Sequence, residues 1–148
     1  MNYCKENESN KPLEEAMILL IEDDPDHAEL IIDVLKKENI KKEIVLLKDG
    51  VETRDYFHKF DLEGNYEICS QIDLIILDLN LPKLSGIDVL KFIKNNANFS
   101  SIPIIILSTS SDQETIDEAF KIGASDYIIK PDSYDAFVEK IKILKEYC

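Results

Sequence analysis

The chain has 148 residues and carries 17 Lys and Arg against 30 Asp and Glu, a formal net charge of −13. That length makes one domain with a sizeable core, and the charge argues against nucleic acid or an anionic membrane surface as the main partner. No leader is expected, and no apolar run approaches the roughly 20 residues of a membrane span. The three cysteines, Cys4, Cys69 and Cys148, lack metal-type spacing, so free thiols in a reducing, cytoplasmic compartment are expected.

Residues 1–15 are polar and are expected to form a disordered tail, with one domain over 16–148. Residues 16–22 form a short apolar run ended by acids, the pattern of a buried strand. Pro25 then opens a helix with Asp24 as its N-cap; over 26–38 it sets Ala28, Ile31, Ile32 and Leu35 on one face. A short strand over 43–48 and a helix over 50–60 follow. Next comes a polar loop over 61–72, long for such a connection. The third strand spans 73–79. Ser85 caps a helix carrying Ile87, Val89, Leu90, Phe92 and Ile93. Pro103 leads into a fourth strand over 104–108. Asp112 caps a helix through Ile122 that Gly123 ends. A fifth strand spans 126–130, and the last helix 133–147.

Five strands alternating with five helices imply right-handed parallel βαβ units. Continuous Ile, Leu and Val runs suit strands covered on both faces. The expected architecture is an α/β, flavodoxin-like, doubly wound (βα)5 sheet in strand order 2-1-3-4-5. It sets the first and third strands together at the switch point, where ligands bind beyond the strand ends. Glu22 and Asp23 end the first strand, Asp78 the third and Lys130 the fifth. All four therefore converge on one edge of the sheet.

Clustered carboxylates raise one another's pKa unless a cation compensates. Mg²⁺ prefers oxygen, takes few carboxylates and completes its shell with water and phosphate oxygens. The backbone carbonyl of Asn80 is a further candidate ligand. An aspartate can also attack phosphorus and become an aspartyl phosphate. Metal and Lys130 would then offset charge on the phosphoryl oxygens, with the hydroxyl of Ser108, at the end of the fourth strand, as a donor. Taken singly, each residue has a plainer role: a strand-end aspartate as a turn, Lys-Pro as a turn signal, acids before Pro25 as helix-end charges. The joint placement on three strand ends favours the site.

These residues resemble the receiver domain of bacterial two-component response regulators over about residues 16–147. The resemblance rests on Leu20-Ile21-Glu22-Asp23-Asp24, Leu77-Asp78-Leu79-Asn80-Leu81-Pro82 with Gly86, Ile106-Leu107-Ser108, Gly123-Ala124-Ser125-Asp126-Tyr127 and Lys130-Pro131. The stretches 77–94 and 61–72 look most like stand-alone receivers paired with phytochrome-type kinases. The resemblance implies Asp78 as phosphoacceptor, with Glu22, Asp23, Asp78 and the Asn80 carbonyl as Mg²⁺ ligands. It implies Ser108 and Tyr127 as switch residues, Lys130 as the phosphoryl-facing lysine, and a cis Lys130–Pro131 peptide, which proline permits. It further implies a histidine kinase or histidine phosphotransfer protein as donor, and a downstream protein target.

Some positions depart from the common pattern: Glu22 for Asp, Ser108 for Thr, Thr109 for a smaller residue that influences phosphoryl lifetime, and Asp132 for an apolar one. Two other functions are weighed. A metal-dependent aspartyl-phosphate phosphohydrolase of the haloacid-dehalogenase type wants an acid two residues after the nucleophile, where Asn80 stands. A flavin carrier wants a hydroxyl- or glycine-rich phosphate loop where Glu22, Asp23 and Asp24 stand. On the last helix, Tyr134, Phe137, Val138, Ile141 and Leu144 form the expected core face. Ile143 and Tyr147 lie on the other side, and a homodimer or partner interface is expected there.

Overall fold

The computed structural model of the chain describes residues 17–64, 66–67 and 71–147. The expected tail over 1–15 and all three cysteines lie outside the described residues. The elements are β1 (Met17–Ile21), α1 (Pro25–Lys37), β2 (Glu43–Leu47), α2 (Gly50–Glu63) and β3 (Ile72–Leu77). There follow α3 (Gly86–Lys94), β4 (Ile104–Ser108), α4 (Gln113–Ile122), β5 (Asp126–Ile129) and α5 (Tyr134–Ile143), which runs into a 3-10 turn over Leu144–Tyr147. The five strands pair in parallel in the order β2-β1-β3-β4-β5, the expected flavodoxin-like arrangement.

The core follows from the two-residue period of the strands. Leu19, Ile21, Ile75, Leu77, Ile104 and Ile106 face one side and pack with Phe57 of α2, Val89, Leu90 and Ile93 of α3, and Ala119 of α4. Ile18, Leu20, Leu74, Ile76, Ile105 and Leu107 face the other and pack with Ile31 and Leu35 of α1 and Phe137 and Ile141 of α5. Every residue of β3 and β4 is buried. That is why these runs are apolar on both faces apart from Asp73 and the terminal Ser108, rather than alternating.

Local chemistry sets the helix starts. Asp24, Ser85 and Asp112 accept backbone N–H bonds of α1, α3 and α4, as the sequence indicates, and Asp49 and Ser133 do the same for α2 and α5. Each such cap stabilises by about 1 kcal/mol. Three expectations need correction. Helix α2 runs on to Glu63, shortening the expected loop, because Gly64 takes a left-handed φ of 66° and closes it as a C-cap. The last helix tightens to 3-10 geometry at Leu144, where the Leu144 N–H bonds back to the Ile141 carbonyl. Tyr134 is not a core residue: it is 67% exposed, whereas Phe137, Ile141 and Leu144 are buried. As the first helical residue it lines a surface cavity together with Val34 and Lys37 of α1.

Candidate functional site

Backbone pairing continues one residue past the strand ends and aims the polar groups. The Glu22 N–H donates to the Leu47 carbonyl at 3.0 Å, the Asp78 N–H to the Ile21 carbonyl at 3.0 Å, and the Lys130 N–H to the Ser108 carbonyl at 2.7 Å. Helix α3 presses on the same edge. A Cβ on Gly86 would lie 2.4 Å from Leu79 Cα and 2.5 Å from the Asp78 carbonyl oxygen, so only a glycine lets the helix approach this closely.

The result is a half-buried acidic cleft. Glu22 and Asp78 are buried and Asp23 is exposed. Each oxygen of the Asp78 carboxylate has its own donor: Oδ1 accepts from the Asn80 N–H at 2.9 Å, and Oδ2 from Lys130 Nζ at 3.1 Å. Lys130 Nζ also donates to Glu22 Oε1 at 2.5 Å, while Glu22 Oε2 accepts from the Asp24 N–H at 3.3 Å. Burial pushes the Glu22 carboxyl up to about 8, with the neighbouring Asp78 adding to the rise and Lys130 opposing it.

The donor set suits a hard divalent cation. One carboxylate oxygen from each of Glu22, Asp23 and Asp78 lies within 4.8 Å of the others, a span that an octahedral ion with ~2.1 Å bonds can close with small rotations. Three carboxylates against one ammonium leave a surplus of negative charge.

The remaining expected residues stand on β4 and β5. Ser108 is fully buried, and its Oγ accepts from the Ser110 N–H at 3.2 Å, leaving the hydroxyl proton available to another acceptor. Tyr127 is partly buried, and its hydroxyl donates to the Ser110 carbonyl at 2.8 Å. The two switch candidates thus meet through one loop residue. The Lys130–Pro131 peptide is trans, against the expectation of cis. The trans form is the lower-energy default for X–Pro, and in it Lys130 already reaches both carboxylates.

Two features escape a linear reading. Asn80 Nδ2 donates to Thr109 Oγ1 at 3.0 Å, bridging the loops after β3 and β4 across the mouth of the cleft. His27, in the first turn of α1, brings Nδ1 to 3.1 Å from Lys130 Nζ. An isolated histidine two residues after a helix-starting proline carries no pattern that would single it out.

Five parallel strands in this order, with an acidic cleft and a lysine at the switch point, define a receiver domain of two-component signalling. The chain belongs to the response regulator receiver domain family, whose profile matches residues 18–142. Among its relatives is the response regulator Rcp1 of Synechocystis sp., 35% identical over 124 residues that span 84% of this chain and 80% of Rcp1. The crystal structure of the Mn²⁺-bound form of Rcp1 superposes with a TM-score of 0.76 at 30% identity, covering 88% of this chain and 92% of that one. The phosphorylated cyanobacterial phytochrome response regulator RcpA superposes with a TM-score of 0.78 at 33% identity, covering 89% and 92%. The family and the likeness to phytochrome-associated regulators agree with the sequence reading, and these relatives give no support to a phosphohydrolase.

Proposed function

We propose that Asp78 is the phosphoacceptor of this receiver, and that its phosphorylation changes the affinity of the domain for a downstream protein in the cytoplasm. The donor is a phosphohistidine on a histidine kinase or histidine phosphotransfer protein. Glu22, Asp23, Asp78 and the backbone carbonyl of Asn80 hold Mg²⁺. The observation that carries this reading is the two-sided grip on Asp78, by the Asn80 N–H on one oxygen and Lys130 on the other, beside two further carboxylates. The Mn²⁺ of Rcp1 and the phosphoryl group of RcpA, proteins of the same fold, support it.

An oxygen of Asp78 attacks the phosphorus as the P–N bond to the donor imidazole breaks. The imidazole leaves with the bonding electron pair and takes up a proton, and an acyl phosphate forms on Asp78. When bound, Mg²⁺ offsets negative charge on the phosphoryl oxygens. Lys130, which already donates to Asp78 Oδ2, supplies a positive charge to the phosphoryl group, and the Ser108 hydroxyl donates to a phosphoryl oxygen. The net charge of −13 keeps nucleic acid and anionic membranes out of this scheme; no described helix is long and apolar enough to cross a membrane.

With acetyl phosphate and Mg²⁺ the Asp78–phosphorus bond forms as the bond to acetate breaks. Intact mass should show one added phosphoryl group on the wild type and none on Asp78→Asn. Asp23→Asn should fold yet accept little phosphate at the same Mg²⁺ concentration. Equal labelling of Asp78→Asn would overturn the assignment.

A further inference from the structure

Lys130 Nζ lies within hydrogen-bond distance of three acceptors on three elements: Glu22 Oε1 beyond β1, Asp78 Oδ2 beyond β3, and His27 Nδ1 in α1. An ammonium has three N–H bonds and no lone pair. Against Lys130, His27 Nδ1 can therefore only accept, in the tautomer that carries the ring proton on Nε2. The Lys130 side chain is 3% exposed, so water is poorly placed to replace a lost partner.

The His27 backbone and its ring each have a partner. The backbone N–H donates to Asp24 Oδ1 at 3.3 Å, and the ring meets Phe137 of α5 edge to face, with centroids 5.4 Å apart and planes at 86°. The nearby carboxylates, Asp24 Oδ2 at 3.6 Å and Glu22 Oε1 at 4.0 Å, lie farther from Nδ1 than Lys130 does.

We propose that His27 is a positioning residue for Lys130, holding one of its N–H bonds so that the ammonium stays directed at the Asp78 carboxylate. This rests on the assignment of Asp78 and of the metal ligands above. In that loaded site Glu22 would be a ligand of the cation and Asp78 would carry the phosphoryl group. Of the three acceptors around Lys130, His27 is then the one that neither group engages. It touches neither the donor nor the phosphorus and acts only through Lys130.

The test compares His27→Leu, which fills similar space against Phe137 but cannot accept, with His27→Asn, whose Oδ1 stands near the position of Nδ1. Both are made in the full chain with ¹⁵N-labelled lysine. In metal-free protein the protected Lys130 ammonium resonance should persist in the wild type and His27→Asn, and exchange away in His27→Leu. With acetyl phosphate and Mg²⁺, the Asp78 labelling rate should fall about tenfold in His27→Leu, the scale of one charged hydrogen bond. His27→Asn should restore most of it. An unchanged resonance and labelling rate in His27→Leu would overturn the positioning role alone. Absence of any labelling on the wild type would instead overturn the Asp78 assignment, while the metal-free resonance still decides whether His27 holds Lys130.

Discussion

Asn80 and Thr109 clasp the mouth of the acidic cleft: Asn80 Nδ2 donates to Thr109 Oγ1 at 3.0 Å, joining the loops that follow β3 and β4. The same Asn80 uses its backbone N–H to hold Asp78 Oδ1. Thr109→Val keeps the shape and removes the acceptor. The phosphorylated variant should lose its phosphoryl group several-fold faster than wild type, since a hydrogen bond contributes about 1 kcal/mol to keeping the mouth closed against water. Decay of the phosphorylated mass after donor removal measures this; a rate equal to wild type would show that the clasp does not limit hydrolysis.

Gly86 is the point where α3 meets the Asp78 strand end, with no room for a methyl group. Gly86→Ala should destabilise the fold by about 1–3 kcal/mol through overpacking against backbone, and slow labelling of Asp78 by shifting its carbonyl. Urea unfolding and intact mass report the two effects separately.

Glu22 makes stability depend on pH in a definite direction. Its ordinary value of 4.5 rises to about 8 in the metal-free fold, mainly through burial. Between those values the folded protein keeps a proton that the unfolded chain releases. The associated stability is complete below about 4.5 and is lost as pH rises through about 8. Metal-free wild type should therefore lose stability over that window relative to Glu22→Gln, which carries no such proton. Metal binding must displace the proton, so Mg²⁺ should stabilise the wild type more at the top of the window than at the bottom. Melting curves of both proteins, with and without Mg²⁺, check the sign.

Ser108 and Tyr127 both bond to Ser110, through its N–H and its carbonyl. A phosphoryl oxygen that drew the Ser108 hydroxyl away would disturb the loop that holds the tyrosine. Ser108→Ala and Tyr127→Phe should both still accept phosphate on Asp78. Each should blunt the difference in partner affinity, or in amide chemical shifts over α4 and β5, between the free and phosphorylated forms. A full response in Ser108→Ala would route the coupling elsewhere.

At the last helix, Ile143 is 40% and Tyr147 36% exposed, and the expected homodimer surface includes both. The Tyr147 hydroxyl already donates to Asp126 Oδ2 at 2.7 Å, which leaves Ile143 as the stronger apolar contact. Ile143→Glu with Tyr147→Lys should leave folding and Asp78 labelling intact and lower the apparent mass by light scattering. A wild type that stays monomeric with and without phosphoryl group up to high micromolar concentration removes the dimer.

The strands, most helix starts and the polar residues at strand ends were legible in the chain itself. Each is written in covalent neighbours: an apolar run of strand length, an acid or serine before a helix, a charge where a run stops. That Glu22, Asp23, Asp78 and Lys130 share one edge followed from βαβ handedness, which constrains topology without any knowledge of side-chain contacts. Tertiary structure alone decided the pairings across that edge. Lys130 meets Glu22 across 108 residues and His27 across 103, and Asn80 meets Thr109 across 29. It also decided that Tyr134 faces solvent and that α5 tightens at Leu144. Periodicity records which face a residue occupies but not what stands opposite it, and hydrogen-bond partners are chosen by groups that only the folded sheet brings within 3 Å.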